Sequence, residues 1–211
     1  MATRAYNQAR RGEAAESTRR RIVEATFALH AEQGIAATTM KQIAARAGVS
    51  VGSVYHHFPT YDDAIQACGL LVLEKLPPLD ASIFDGAHTM AQRVERLVFA
   101  HYGHYARLPI LEVARADRHV SPVLQDFLAQ EERHRRELAA EALAPTGADD
   151  GRTAALAGLV DIGVWRALTS AGFDTAAAAA LTTQLANAWL EAGAFASTPG
   201  EEEPSHGNAH Q

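Results

Sequence analysis

The chain has 211 residues, a formal net charge of −6 and 47 % hydrophobic residues, which predicts one core-bearing domain with a smaller second one. It contains no run of about 18 apolar residues, and its polar, arginine-rich N-terminus lacks the apolar stretch of a signal peptide. A single cysteine, Cys68, excludes a disulfide framework within the chain and favours a reducing compartment, so we expect a cytoplasmic protein.

The charge is unevenly distributed along the chain. Residues 1–58 hold eight Lys or Arg against four Glu, a balance of +4, which leaves −10 for the remainder. Neutralisation of phosphates supplies most of the sequence-independent affinity of a protein for DNA. The asymmetry therefore predicts a basic N-terminal part that can touch DNA and an acidic remainder that stays soluble and away from it.

Residues 1–15 are predicted to form a flexible basic arm, in which Arg4, Arg10 and Arg11 are spaced along the chain. Two interpretations stay open: the arm reaches a groove or phosphates, or it is a mobile terminus with incidental charge. A first helix is predicted from about Ser17 to Gln33, ended by a glycine.

Residues 38–58 carry the signals of a helix-turn-helix. Thr39 and Gln42 form a capping box of the T-x-x-Q kind, and Gly48 supplies the positive φ of a sharp turn. Ser50 caps the next helix, while Ala44 is small where the two helices must cross. The outward-facing residues of the second helix are Val51, Gly52, Ser53, Tyr55 and His56.

The remainder of the chain is predicted to be helical, so the fold class is all-α. A helix from 60 to 76 connects the two domains, and residues 77–88, which begin with two prolines, form the linker. The later helices are expected at about 89–107, 122–143, 150–171 and 175–195. We call residues 16–60 the head and residues 61–196 the body; residues 197–211 are expected to be a disordered acidic tail.

The two last predicted helices are rich in alanine and glycine, which permits close approach between helices. Leu181, Leu185, Ala188, Trp189 and Ala192 recur at helical spacing in the final helix. The small residues allow pairing with the same two helices of a second chain, or closure of this face on the body of the same chain.

Residues 18–65 resemble the TetR family of bacterial transcriptional regulators. The matching features are the Ile22/Ala25/Leu29 helix ending at Gly34, then Thr39, Ile43-Ala44, Ala47-Gly48-Val49-Ser50 and Tyr55-His56-His57-Phe58-Pro59. Two positions depart from the family pattern. His30 stands where an aromatic core residue is usual, and we interpret it as a buried, hydrogen-bonded histidine; Tyr61 stands where a phosphate-contacting lysine is usual, which removes one expected contact.

The resemblance implies an N-terminal three-helix DNA-binding domain and a C-terminal helical domain for ligand binding and dimerisation. It also implies a homodimer, formed through the last two helices, that reads a palindromic operator in double-stranded DNA. The resemblance further implies that Tyr55 and His56, at the matching positions, bind the DNA backbone, and we expect Gly52 and Ser53 to lie near base edges. The predicted DNA-binding residues are Thr39, Lys41, Ser50, Val51, Gly52, Ser53, Tyr55 and His56.

A regulator that resembles this family is expected to be a repressor released from DNA by a small molecule bound in the body. Polar and aromatic residues that interrupt apolar stripes are the candidates: His101, Tyr102, Tyr105, Phe127, Glu131, His134, Asp161, Trp165 and Arg166. Asp161 lies one turn from Trp165, a pair suited to a cationic, apolar effector. For each residue, a hydrogen-bonded structural role or a dimer contact stays open as the alternative.

Two other functions were considered. A DNA-binding protein of the same fold can be controlled by a protein partner, which a filled body with an exposed apolar patch would favour. An enzyme or metal protein is least supported. The spacings His101-x-x-His104 and Glu131-x-x-His134 resemble ligand pairs, but a di-iron site needs a second Glu-x-x-His on another helix, and the predicted helices contain no second one. We therefore expect no catalytic site, cofactor or metal.

Overall fold

A computed structural model describes residues 2–108, 110–147 and 149–192, with side chains from Arg10 onward. Within this part of the chain there are ten α-helices and no strand, so the predicted all-α class is confirmed. The helices are α1 (Ala2–Gln33), α2 (Met40–Ala47), α3 (Val51–His57), α4 (Tyr61–Lys75), α5 (Met90–Arg107), α6 (Ile110–Ala116), α7 (Pro122–Leu143), α8 (Asp150–Leu159), α9 (Ile162–Ser170) and α10 (Thr175–Glu191). None of these helices is both long enough and apolar enough to cross a bilayer.

The predicted helix-turn-helix is formed by α2 and α3. The Gln42 side chain accepts from the Thr39 backbone N–H at 2.9 Å, and the Gln42 N–H donates to the Thr39 hydroxyl at 3.3 Å, which completes the capping box. Gly48 follows α2 with φ of 66°, and the Ser50 hydroxyl accepts from the Ser53 N–H at 3.1 Å. Ala44 is buried in the head core where α2 and α3 meet. These local predictions are confirmed.

The first helix begins much earlier than the sequence predicted. It runs from Ala2 rather than from about Ser17, so the residues expected to form a flexible arm are helical from Ala2 onward. Residues 2–15 contain no proline and one glycine, and alanine, arginine, glutamine and glutamate dominate them. These residues have the highest helix propensities, so the helix continues without a stop signal.

Helix α4 joins the head to the body. Thr60 caps it through a capping box with Asp63, and it ends before Pro77 as predicted. The helix packs on both α1 and α7. A Cβ atom at Gly69 would lie 2.6 Å from the Phe127 ring, so only glycine permits α4 and α7 to approach this closely.

The body core lies around α5, which packs mainly on α10 and α7. Its buried face comprises Val94, Leu97, Val98, His101, Tyr102 and Tyr105, three or four residues apart as a helix requires. Helix α7 begins at Pro122 and ends at Leu143, as predicted, and its last turns complete the same core.

The single helix predicted over 150–171 is two helices, α8 and α9, because Asp161 interrupts it. Asp161 takes an extended conformation with ψ of 144°, and its carboxylate accepts from the Gly163 N–H at 2.7 Å, so it caps α9. The other carboxylate oxygen lies 2.5 Å from Arg115 and 3.1 Å from Arg135. These two cations hold the aspartate at the break, and a sequence pattern cannot indicate either contact.

The stripe predicted for the last helix is not its buried face. Ala178, Ala179, Thr182, Ala186 and Leu190 face the body, whereas the residues of the stripe are half-buried or exposed. The small side chains let α10 approach α5 closely, which explains why the inward face is the less hydrophobic one. Helix α10 ends at Glu191; residues 193–196 and the predicted acidic tail, 197–211, lie outside the described residues.

Candidate functional sites

The predicted DNA-binding residues all belong to the start of α2 or to α3 with its cap. Seven are exposed and Ser53 is half-buried. Tyr55 is 49 % exposed although Val54 beside it is completely buried. An aromatic side chain held outward on a well-anchored helix presents both a hydroxyl and an apolar ring to a partner.

Two of these residues already use their hydroxyl groups within the head. The Thr39 hydroxyl donates to Gln42 Oε1 at 2.8 Å and accepts from the Gln42 N–H, and the Ser50 hydroxyl accepts from the Ser53 N–H. Their established role is therefore to cap α2 and α3. The first backbone N–H groups of α2 have no acceptor within the helix and remain the donors at this end.

Arg46, one of the basic residues of the head, forms a bidentate salt bridge with Glu32. Its two terminal nitrogens lie 2.8 and 2.6 Å from the two carboxylate oxygens, and this pairing lowers the pKa of Glu32. The pair joins α1 to α2 across 14 residues of sequence, so no local pattern indicates it. Arg46 is a support of the helix-turn-helix rather than a free cation.

The two departures from the family pattern contact each other. His30 is buried, as interpreted from the sequence, and its Nε2 lies 2.9 Å from the Tyr61 hydroxyl. The Tyr61 hydroxyl donates to the Ile35 carbonyl at 2.7 Å. Tyr61 therefore stabilises the junction of α1, α4 and the loop between α1 and α2.

A cavity of about 560 Å³ lies in the body between α4, α5, α6 and α7. Its walls are mostly aliphatic, and it reaches the head at His30 and Ile35. Cavities of 300–1,000 Å³ with apolar walls and a few polar groups are typical of small-molecule sites. The cavity is therefore large enough for a small organic ligand and touches both domains.

Five of the nine residues predicted for an effector site line this cavity, and four do not. Those that line it are His101, Tyr105, Phe127, Glu131 and His134. Tyr102 is buried in the core, where its hydroxyl donates a hydrogen bond to the Leu159 carbonyl, and the Trp165 ring N–H donates to the Thr175 hydroxyl. Arg166 pairs with Glu112 at 2.9 Å, and Asp161 lies behind the wall with its two arginines.

The polar groups of the cavity wall are oriented by bonds to the backbone. His101 Nδ1 lies 2.9 Å from the Leu97 carbonyl, and burial lowers the pKa of His101 to about 4, so the ring is neutral. The Tyr105 hydroxyl donates to the Val160 carbonyl at 3.0 Å, and His134 Nε2 lies 2.5 Å from the Leu79 carbonyl.

Sequence reasoning missed Arg135, which lines the cavity and is only 4 % exposed. One of its terminal nitrogens lies 2.8 and 2.9 Å from the carboxylate oxygens of Glu131, and the other lies 3.1 Å from Asp161. The Glu131–Arg135 spacing of four residues on a helix was the available signal.

Asp117, which follows α6, was also missed. Its Oδ2 accepts from the Ile35 N–H at 2.7 Å and from the Ala36 N–H at 3.0 Å, so the body holds the loop between α1 and α2. The residues are about 80 positions apart in sequence, and no local pattern indicates the contact. Within the described ranges, no group of three or more His, Cys, Asp or Glu side chains is arranged to hold a metal ion.

These features define a helix-turn-helix protein of the all-α class, in which a helical body encloses a ligand-sized cavity next to the head. The sequence profile of the family described as bacterial regulatory proteins, tetR family, matches residues 22–68. Residues 22–68, which hold the helix-turn-helix, are therefore similar to the DNA-binding part of the TetR family.

Curated relatives resemble mainly the N-terminal part of the chain. The HTH-type transcriptional regulator SrpR of Pseudomonas putida is 43 % identical over 53 residues, which is 25 % of each chain. The HTH-type transcriptional repressor KstR2 of Mycobacterium tuberculosis is 30 % identical over 100 residues, 46 % of this chain and 50 % of that protein. The chain thus spans a quarter to a half of the length of these relatives.

Solved structures show that the whole architecture is shared. A transcriptional regulator from Pseudomonas aeruginosa PAO1 has a TM-score of 0.63 at 22 % identity, covering 82 % of this chain and 88 % of that one. NalD, the secondary repressor of the MexAB-OprM multidrug efflux pump in P. aeruginosa, has a TM-score of 0.60 at 18 % identity, covering 83 % of this chain and 96 % of that one. The multidrug binding protein EbrR complexed with malachite green has a TM-score of 0.55 at 22 % identity, covering 81 % of this chain and 96 % of that one. At these identities the likeness concerns the fold alone.

Proposed function

We propose that this protein is a homodimeric, sequence-specific DNA-binding transcriptional repressor that a small molecule, bound in the body cavity, releases from its operator. The observation that carries the proposal is the position of the cavity. It is lined by α5, α6 and α7 of the body, by α4, and by His30 and Ile35 of the head. A filled body would have favoured control by a protein partner, whereas this cavity favours a small molecule.

A ligand shifts an equilibrium only if it binds two states of the protein with different affinities. The walls of the cavity belong to elements that join head and body, which supports a difference in ligand affinity between two arrangements of the head. Helix α6 contributes Ile110, Leu111 and Ala114 to the wall, and Asp117 directly after it holds the loop of the head at Ile35. A ligand that displaces α6 or α4 would therefore change how the head is held relative to its partner head.

In this proposal α3 enters the major groove of DNA. Gly52 allows close approach to base edges beside Ser53, while Tyr55 and His56 bind phosphates and Lys41 adds positive charge. The exposure of these side chains supports the assignment. Phosphate contacts position the protein on DNA, and the short side chains near the bases leave the operator sequence to be determined by experiment.

Dimerisation is assigned to the outer faces of α9 and α10. Leu185 is 57 % exposed, and Ala188 of α10 and Ala167 of α9 are also exposed, so both helices present apolar side chains to the outside. Two such helices from each chain would bury this surface in a four-helix contact. Two heads held in this way can read the paired half-sites of a palindrome.

The dimer surface can be tested with two leucines of equal exposure. Leu185→Glu is expected to give monomers in sedimentation velocity at micromolar concentration, because a buried carboxylate would lack a partner. Leu70→Glu on α4 is the matched control, since Leu70 is 55 % exposed but lies far from α10 in sequence and on another helix. A Leu185→Glu protein that remains dimeric would contradict the assignment.

DNA binding is tested by fluorescence anisotropy on operators selected from random or upstream DNA. Tyr55→Ala should weaken binding at least about tenfold with an unchanged circular dichroism spectrum, because a base- or phosphate-contacting side chain contributes on this scale. Phe99→Ala is the control, since Phe99 is a similarly exposed aromatic residue on α5. Unchanged affinity of Tyr55→Ala would remove this residue from the interface.

A further inference from the structure

The polar end of the body cavity is electrically balanced. Arg135 pairs with Glu131 and with Asp161, and Asp161 pairs also with Arg115, so two cations and two anions form one network. The lining also includes the exposed Arg133 and Glu137, which carry opposite charges. The ionised groups in and behind the cavity wall therefore add up to no net charge.

This balance disfavours a charged ligand. Asp161 has both oxygens occupied, one by two arginines and one by the Gly163 N–H, and it lies outside the lining of the cavity. The cationic effector suggested by the Asp161–Trp165 pair in the sequence would therefore find no unpaired acid there. Arg135 is already neutralised by Glu131 and Asp161, so an anion would add an uncompensated charge, and burial of an unpaired charge is costly in either case.

His101 provides the acceptor at this end. The Leu97 carbonyl can only accept, so the hydrogen of the neutral His101 ring lies on Nδ1, which faces the backbone of α5. Nε2, on the far side of the ring, then carries a lone pair directed away from the helix. The side chain is 5 % exposed and lines the cavity, and none of the described residues forms a hydrogen bond to this nitrogen.

We propose that the cavity takes a neutral, largely apolar molecule carrying a hydroxyl or N–H group that donates a hydrogen bond to His101 Nε2. The aliphatic walls contributed by α4, α6 and α7 enclose the apolar part of the ligand. The inference rests on the proposed function for its regulatory meaning, but it concerns only which compounds bind. Burial keeps the pKa of His101 low, so the acceptor persists across the neutral pH range.

The test uses four compounds with one apolar skeleton, measured by isothermal titration at pH 7 with the full-length protein. They are 4-butylphenol, butylbenzene, 4-butylbenzoate and 4-butylbenzylammonium. The phenol is expected to bind about tenfold more tightly than butylbenzene, a factor equal to about 1.4 kcal/mol. Both ions are expected to bind more weakly than butylbenzene. Tighter binding of either ion, or binding of none of the four compounds, would overturn the inference.

Variants of His101 identify the acceptor. His101→Leu should reduce the preference for phenol over butylbenzene to less than twofold while the affinity for butylbenzene stays the same. His101→Gln, which keeps an oxygen acceptor, should restore part of the preference. His88→Leu is the control, because His88 is exposed and does not line the cavity. A phenol preference that persists in folded His101→Leu protein would assign the acceptor elsewhere and overturn the role of His101.

A DNA-release measurement separates this inference from the proposed function. If 4-butylphenol binds with the expected preference but a saturating concentration leaves the operator complex intact, the ligand class stands and release of DNA through this cavity fails. If a charged compound binds the cavity more tightly and releases the DNA, the regulatory proposal stands and the ligand class fails.

Discussion

His30 Nε2 lies 2.9 Å from the Tyr61 hydroxyl, and this hydroxyl donates its own hydrogen to the Ile35 carbonyl at 2.7 Å. His30 must therefore supply the hydrogen of the first bond from Nε2. Burial lowers the pKa of His30 to about 4, so the ring is neutral at pH 7 and this is its one ring hydrogen. The two residues that depart from the family pattern thus form one chain of hydrogen bonds across the head–body junction.

The first prediction concerns the pH dependence of stability. The unfolded state binds a proton at His30 near the ordinary pKa of 6.5, whereas the folded state does so only near 4. Stability is therefore lost as the pH falls from about 6.5 towards 4, at up to about 1.4 kcal/mol per pH unit for this residue. His101 has the same shift and burial also lowers the pKa of His104, so at least three histidines contribute to this loss in the wild type.

His30→Phe should make the loss in the free energy of unfolding between pH 7 and pH 5 smaller than in the wild type, because one of the histidines with a lowered pKa is removed. Urea denaturation at several pH values measures the loss. His88→Phe, at an exposed position, should leave the wild-type dependence unchanged. A His30→Phe protein with the full wild-type dependence would show that this histidine is not the buried neutral group described above.

The second prediction concerns Asp117, whose carboxylate accepts from two backbone N–H groups of the head. Asp117→Ala leaves both without this acceptor and should lower the free energy of unfolding by about 1–3 kcal/mol. Asp117→Asn keeps one oxygen acceptor, so its free energy of unfolding should lie between those of the wild type and Asp117→Ala. Asp126→Ala, an exposed aspartate on α7, is the control in the same denaturation experiment.

If Asp117 also carries the signal from the cavity, Asp117→Ala should bind the ligand with nearly unchanged affinity but release the operator incompletely. Anisotropy titrations with and without ligand measure this coupling. Equal coupling in wild type and Asp117→Ala would restrict Asp117 to a stabilising role.

The third prediction concerns Lys41, the exposed cation at the start of α2. If it neutralises one phosphate, Lys41→Ala should weaken binding to specific and nonspecific DNA alike, and it should reduce the slope of log K against log salt by about 1. Arg107→Ala, an exposed cation at the end of α5, serves as the control. A salt slope equal to that of the wild type would exclude the phosphate contact.

The head was predictable because its structure depends on local signals. A capping box, a glycine with positive φ and a capping serine each act within four residues of sequence, and all were found at Thr39, Gly48 and Ser50. The body was less predictable because its decisive contacts are distant. The break at Asp161 depends on Arg115 and Arg135, and the cavity forms only where Gly69 lets α4 approach Phe127.

The last prediction compares two aspartates with the same local role. Asp161 caps α9 and Asp174 caps α10, each by accepting from a backbone N–H at 2.7 Å, but only Asp161 also pairs with two arginines. Asp174→Ala should lower the free energy of unfolding by about 1 kcal/mol, the usual contribution of an N-cap side chain. Asp161→Ala should cost about 3–5 kcal/mol, because it leaves buried Arg135 with one partner fewer. Thermal and urea denaturation measure both costs. Equal costs would mean that the ion pairs contribute nothing beyond the cap, and that the charge balance of the cavity wall does not depend on Asp161.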